Sequence, residues 1–266
     1  MRDELEEASA LVAEGGVVVF TGAGMSEESG IPTFRDPGGL WDRFDPTEFG
    51  TWQGLARLAT GRPDELAEFL AALRSALAGA RPGPGHGALA RLEEAGLVDA
   101  VVTQNVDGLH QEAGSRTVLE VHGSFLRLRC LLCGRTDSVT REELLRELDR
   151  AVVGLRAAFI PSFESLLPKC SSCGGPSRPD FVAFGERLQD FEEAERLAAR
   201  CRTLLAVGTS GEVYPAASLP VRARSAGAKV VVIASGRTAL TADVLLEGKA
   251  GEVLPKVAAA ALAAKG

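Results

Sequence analysis

The chain has 266 residues, 45% hydrophobic and 24% charged, enough for one large domain plus a small satellite with ample apolar surface for a core. Its net charge of −7 excludes a large basic footprint for nucleic acid, and an acidic body suits cationic partners such as lysine-rich peptides. No run approaches the ~18 apolar residues of a membrane helix, and the acidic start Met1-Arg2-Asp3-Glu4-Leu5-Glu6-Glu7 has no apolar signal core, so a cytoplasmic setting is expected.

Residues 3–14 place Leu5, Ala8, Leu11 and Val12 on one helical face, and Gly15-Gly16 ends that helix. Val17-Val18-Val19-Phe20 follows, a continuous apolar run of the kind a parallel strand shows when both its faces are buried. Similar runs recur at 98–102, 204–207 and 230–233, each after a helix-like stretch. This alternation predicts an α/β fold with a doubly wound parallel sheet. Residues 64–79 form a further helix candidate, with Leu66, Phe69, Leu70, Leu73 and Leu77 along one side. Arg81-Pro82-Gly83-Pro84-Gly85 reads as a turn-rich connection.

Between Phe125 and Pro176 the alternation stops and the cysteines appear, which predicts a small inserted domain. The segment 134–169 between the cysteine pairs is long for a zinc ribbon, where ~15–20 residues are usual. Its stretch 140–159 carries Leu144, Leu145, Leu148, Val152 and Leu155 at helical spacing, so an extra helix is expected there.

Gly22-Ala23-Gly24-Met25-Ser26 directly follows the first strand. Glycines at that position let backbone N–H groups approach a pyrophosphate. The third glycine of the dehydrogenase fingerprint is absent, with Glu27 in its place, and no acid stands at a strand end ~20 residues on to hold a ribose. The loop alone therefore fits either a nucleotide site or a tight strand-to-helix turn. Residues 26–41 extend it, with Phe34 able to cover an aromatic ring and Arg35 able to meet phosphate.

Gln104, Asn105 and Asp107 follow the strand at 98–102, where open α/β sheets bind their ligands, and offer amide and carboxylate groups for ribose hydroxyls or a carboxamide. His110 reads as a structural packing residue. His122, before Gly123 at the start of the insertion, is a candidate general base. Cys130-x2-Cys133 and Cys170-x2-Cys173 form two knuckles that can close a tetrahedral thiolate site around a structural zinc, iron–sulfur ligation being the alternative. Cys201 reads as a buried structural thiol.

Taken together, these motifs resemble the sirtuins, the NAD-dependent protein lysine deacylases. The matches run from Gly22 to about Ala250: Gly22–Ser26, Gly30–Arg35, Thr103–His110, Val121-His122-Gly123, the four cysteines, Arg178–Glu186 and Gly208-Thr209-Ser210. The resemblance implies a Rossmann-like parallel sheet with helices on both faces, formed discontinuously by 1–37, 76–125 and 177–266, and a small helical and zinc-binding domain from 38–75 and 126–176. It implies NAD held by Gly22, Ala23, Gly24, Ser26, Phe34, Arg35, Gln104, Asn105, Gly208, Thr209, Ser210, Ser235 and Ala250, with Asp107 on the nicotinamide carboxamide. His122 becomes the general base on a ribose hydroxyl, Asn105 orders ribose and water, and Phe34 shields the reacting centre. NAD is then a consumed co-substrate and Zn2+ is structural; the products are nicotinamide, O-acyl-ADP-ribose and free lysine.

An acyl-lysine peptide is implied as an added strand along 184–188 and 211–214, through Val182, Phe184, Gly185, Glu186, Glu212 and Val213. The strand-end asparagine that meets the adenosine ribose in relatives is replaced here by Ile233-Ala234-Ser235. The Tyr-x-x-Arg of the desuccinylase branch corresponds to Leu70 and Leu73, or with a one-residue slip brings in Arg74, so acetyl or longer apolar acyl groups are expected. The rivals are an ADP-ribosyltransferase or NAD glycohydrolase on the same fold, and more remotely a non-catalytic zinc-ribbon adaptor that senses NAD. No nucleic acid or membrane partner is expected, and the chain is expected to be a monomer.

Overall fold

The apolar runs do become strands. The computed structural model describes residues 2–33, 39–157 and 162–265, and in them the strands are β1 Val17–Thr21, β2 Val98–Thr103, β3 Val118–Glu120, β4 Gly123–Cys130, β5 Thr136–Ser138, β6 Ser177–Phe181, β7 Thr203–Val207, β8 Lys229–Ala234 and β9 Val244–Glu247. The chain divides into two compact units: Met1–Gly30, Arg81–His122 and Leu188–Gly266 form the first, Ile31–Ala80 and Gly123–Arg187 the second.

In the first unit six strands lie in the order β3-β2-β1-β7-β8-β9, every pair parallel. Period-two alternation sends Val17, Val19, Leu205, Val207, Val231 and Ile233 into the core on one face. Val18, Phe20, Leu204, Ala206, Val230 and Val232 enter the core on the other. Helices Arg2–Ala13, Pro84–Glu94 and Ala250–Lys265 cover the first face, and Phe191–Ala198 with Leu219–Ser225 the second. Burial of apolar side chains at roughly 25 cal/mol per Å2 on both faces is what holds this layer together. Because β1 is flanked by β2 and by β7, the strand order reverses at its carboxyl end, which is where such sheets open a ligand crevice.

The second unit carries an antiparallel sheet, β5-β4-β6, with a register irregularity between Ser124 and Leu128. Its helices Trp52–Gly61, Pro63–Gly79 and Arg141–Leu155 bury two apolar clusters, one around Phe44, Phe49, Leu58 and Phe69 and one around Leu77, Leu144 and Leu148. Arg141–Leu155 is the extra helix between the cysteine pairs. It starts at a capping box, in which Thr140 Oγ1 accepts from the Glu143 N–H (3.2 Å) and Glu143 Oε2 accepts from the Thr140 N–H (2.8 Å).

Several sequence expectations need adjustment. Pro84 and Gly85 are not turn residues but the first turn of helix Pro84–Glu94; proline at the first helical position gives up an N–H that would have had no intrahelical partner. Residues 177–187 belong to the second unit because β6 pairs with β4. Helix 140–159 is described only to Leu155, and residues 158–161 lie outside the described residues. Cys201 is half-buried, just beyond helix Phe191–Ala198. Burial nevertheless pushes its thiol up to about 11, the state of an unreactive cysteine. No described helix is long and apolar enough to cross a membrane.

Candidate active site and metal centre

The carboxyl ends of β1, β2 and β7 meet in the first unit. Gly22 N–H continues the ladder to Val207 O (3.1 Å), and Gly24 N–H donates to Gly208 O (2.9 Å). A Cβ on Gly22 would lie 2.8 Å from Gly208 O, and one on Gly24 would lie 2.9 Å from Gly208 Cα. The two loops therefore touch backbone to backbone, and only glycine permits it. Gly208 also sits at φ 59, so its own lack of a side chain is required twice over.

Three polar residues after β2 fasten onto this junction. Gln104 Nε2 donates to Thr209 Oγ1 (2.9 Å). Asn105 Nδ2 donates to Gly22 O (3.0 Å) and to Ser26 Oγ (3.1 Å). Ser26 Oγ donates to Asp107 Oδ2 (2.7 Å), and Asp107 Oδ1 accepts from the Leu109 N–H (2.9 Å). Ser26, Asn105 and Asp107 are all buried. With both amide protons of Asn105 committed, what it offers a ligand is the acceptor Oδ1. Asp107 has two oxygens and more lone pairs than these two bonds use, so it can also accept from a primary amide.

His122 Nδ1 lies 3.0 Å from Gln104 O. A carbonyl only accepts, so Nδ1 carries a proton, and in the neutral ring Nε2 is the basic nitrogen. That is the tautomer of a general base, held by the same residue that ties β2 to Thr209. Acceptors for a carboxamide and for ribose hydroxyls, a glycine-only backbone approach and an oriented imidazole make a donor set that fits NAD. Phe34 and Arg35 lie outside the described residues.

In the second unit the four cysteines converge, with all four Sγ atoms within 4.8 Å of one another. Cys130 Sγ is 3.5 Å from Cys173 Sγ, and Cys133 Sγ is 3.7 Å from Cys170 Sγ. A tetrahedron with metal–sulfur bonds of about 2.3 Å has edges of about 3.8 Å, so the spacing fits a four-thiolate zinc site with no open position. Each knuckle aims backbone N–H groups at its first sulfur. Leu132 and Cys133 donate to Cys130, and Ser172 donates to Cys170. The Cys133 N–H above all pulls the Cys130 thiol down, favouring a thiolate, while bonds to the neighbouring sulfurs push the Cys133 thiol up in the absence of a shared cation. Nearby, the side chain of Asp180 accepts from Arg127 Nε (2.7 Å) and Arg129 Nε (2.7 Å), pinning β4 to β6. Burial pushes that carboxyl up, but the bonds from Arg129 and Arg127 outweigh it and hold it below the usual range.

Comparison with known proteins decides the family. The Sir2 family model matches residues 22–215. The chain belongs to the Sir2 family. A protein from Desulfosudis oleivorans named NAD-dependent protein deacylase is 42% identical over 254 residues, covering 95% of this chain and 93% of its own. A Pyrobaculum aerophilum protein, NAD-dependent protein deacylase 2, is 47% identical over 244 residues, with 90% and 88% covered. Among solved structures, a Sir2 homologue in complex with NAD superposes with a TM-score of 0.79 at 36% identity, covering 98% of this chain and 95% of that one. A Sir2 protein bound to a myristoylated histone peptide superposes with a TM-score of 0.73 at 34% identity, covering 100% and 99%.

The remaining sirtuin positions lie as follows. Ser235 is exposed just past β8. Ala250 is buried at the first turn of its helix, where the next N–H, of Gly251, donates to Glu28 Oε2 (2.6 Å). Glu212 is exposed and Val213 half-buried after Ser210. In the second unit, Phe184 is 46% exposed while its N–H donates to Gly50 O (2.9 Å). Gly185 sits at φ 89, and Glu186 forms a clasp with Arg178 (2.8 Å) and accepts from the Ala183 N–H (3.0 Å). Leu70 and Leu73 are half-buried beside the cluster of Leu77, Leu144 and Leu148, to which Ile31 and Phe125 also pack. Sequence reasoning missed Thr21 and, although Thr103 stands in the matched motif, the pairing of the two at the ends of β1 and β2. Only their equal position in two parallel strands signals them.

Proposed function

We infer that this sirtuin is an NAD-dependent protein lysine deacylase. The observation that carries the inference is His122, whose Nδ1 proton is fixed on Gln104 O beside the Asn105–Ser26–Asp107 cluster. When bound, NAD supplies an electrophilic ribose carbon and a nicotinamide leaving group. Asp107 would accept from the carboxamide of the bound dinucleotide. Asn105 Oδ1 orients a ribose hydroxyl. His122 Nε2 would act as the general base that takes a proton from a ribose hydroxyl, a contribution of about 10²–10⁴ in rate. Gly208, Thr209 and Ser210, with Gly22, Ala23 and Gly24, offer backbone and hydroxyl groups to the rest of the dinucleotide, and Ser235 and Ala250 complete the proposed contacts. The zinc holds the knuckles and takes no part in the chemistry.

The substrate on this reading is an acylated lysine in a protein or peptide, and Val182, Phe184, Gly185, Glu186, Glu212 and Val213 are the residues proposed to contact it. Leu70 and Leu73 offer the acyl group an apolar surface. Arg74, the one cation nearby in sequence, is held bidentately by Asp149 at 3.0 and 3.1 Å. A succinyl carboxylate would lose hydration there without a partner, which costs several kcal/mol, so acetyl and longer apolar acyl groups are the preferred class. The protein acts as a monomer in the cytosol, where reduced thiolates persist for zinc.

The test is incubation with NAD and acetyl-, myristoyl- and succinyl-lysine peptides, with His122→Ala alongside, followed by mass spectrometry. Nicotinamide release matched by free lysine and lost in His122→Ala is the expected result. Nicotinamide without deacylated peptide would assign ADP-ribosyl transfer or NAD hydrolysis instead.

A further inference from the structure

Two histidines lie buried against one another in the first unit, outside the chemistry described above. His86 and His110 are 0% and 1% exposed, with ring centroids 4.9 Å apart. Their hydrogen bonds have a definite direction. His86 Nδ1 accepts from the Gly83 N–H (3.2 Å), so the His86 proton is on Nε2. Thr21 Oγ1 donates its single proton to Thr103 Oγ1 (2.8 Å). It can therefore only accept from His110 Nε2, 3.0 Å away, and the His110 proton is on Nε2 too. That leaves His86 Nε2–H, a donor, and His110 Nδ1, an acceptor, each buried and without a partner among the described residues.

The other end of the line reaches the nucleotide site. Thr103 Oγ1, which receives the Thr21 proton, also accepts from the Asn105 N–H (3.0 Å). The Asn105 side chain in turn holds Gly22 and Ser26, and Ser26 holds Asp107. Resting on the deacylase reading, we propose that His110 is a positioning residue which orients Asn105 through Thr21 and Thr103. His110 touches no reacting atom; it sets where the Asn105 carbonyl oxygen stands, and small misplacements of such groups are expensive in rate.

The experiment compares His110→Phe, His110→Gln, His110→Asn, Thr21→Val and the double variant His110→Phe/Thr21→Val in NAD-dependent deacetylation. Glutamine can place a donor where Nε2 stands; asparagine is too short and phenylalanine has none. The expected result is a kcat roughly tenfold lower in the Phe, Asn and Val variants with the peptide KM unchanged, a Gln variant within about threefold of wild type, and a double variant no slower than the slower single. Wild-type kcat in His110→Phe, or losses that multiply in the double variant, overturn the proposal. Nitrogen NMR of the wild-type ring tests it without any turnover. A neutral His110 protonated on Nε2, with an Asn105 amide resonance that moves in Thr21→Val, supports it, whereas a proton on Nδ1 overturns it. Absence of deacylation by the wild-type protein would overturn the reading of function instead, and the NMR result would still decide the relay.

Discussion

Acid should destabilise the first unit through the same two histidines, by an amount that can be worked out. Burial pushes the His86 imidazole down to about 4, against an opposing pull from Glu112, and pushes His110 down to about 3, with His86 adding to the effect. Both rings are therefore neutral in the folded chain at pH 5, whereas in the unfolded chain they titrate near 6.5. Above pH 6.5 neither state binds the protons and the histidines leave stability unchanged. As pH falls below 6.5 the unfolded state alone binds them, so stability drops until the folded values near 4 and 3 are reached. Between pH 7.5 and 5 each ring accounts for roughly 1.5 pH units at 1.36 kcal/mol per unit, about 2 kcal/mol each and about 4 kcal/mol together. That is a large share of the 5–15 kcal/mol typical of a folded domain. The assay is urea unfolding followed by far-UV circular dichroism at pH 7.5, 6.5, 5.5 and 5.0. Wild-type protein should lose about 4 kcal/mol across the series, and His86→Phe/His110→Phe should lose far less. A wild-type profile flat from pH 7.5 to 5, or an equal loss in the double variant, would refute the reasoning.

Other expectations follow from the second unit. Elemental analysis should find one zinc per chain, and a strong chelator or Cys170→Ser should change tryptophan fluorescence, since Trp41 and Trp52 both belong to that unit. Asp180→Ala leaves Arg127 and Arg129 without their shared acceptor. Allowing for arginines that are partly exposed, the loss should be about 2–3 kcal/mol in the unfolding of that unit. Leu70→Arg should raise turnover of a succinyl-lysine peptide relative to an acetyl one in paired kinetic assays; an unchanged ratio would remove Leu70 from the acyl surface.

The central strands were legible because an uninterrupted apolar run such as Val17–Phe20 has one common explanation in an α/β alternation, burial on both faces. The edge strands β3 and β9 were not, since three or four residues at a sheet edge carry little periodic signal. The start of Pro84–Glu94 looks like a turn in sequence because Pro-Gly punctuation is the same whether it ends a loop or opens a helix. At the site, Gln104, Asn105 and Asp107 could be placed from their position just after a strand. The roles of Thr21 and His110 could not, because they depend on β1 lying beside β2 in a register where Thr21 faces Thr103. The His122 tautomer likewise depends on a through-space contact with Gln104 O.

The interleaving of the two units constrains how the chain can be made. β1 forms one ladder with β2, which arrives by Val98, and its other ladder with β7, which begins only at Thr203. During synthesis at ~5–20 residues per second, Val17–Thr21 therefore waits with one open edge until the whole of 123–187 has emerged. The zinc-binding unit, whose last segment ends at Arg187, is complete before the central sheet can close. The nascent chain would thus order its metal-bearing part first, and a ribosome stalled before Thr203 would carry an exposed apolar strand of the kind chaperones retain.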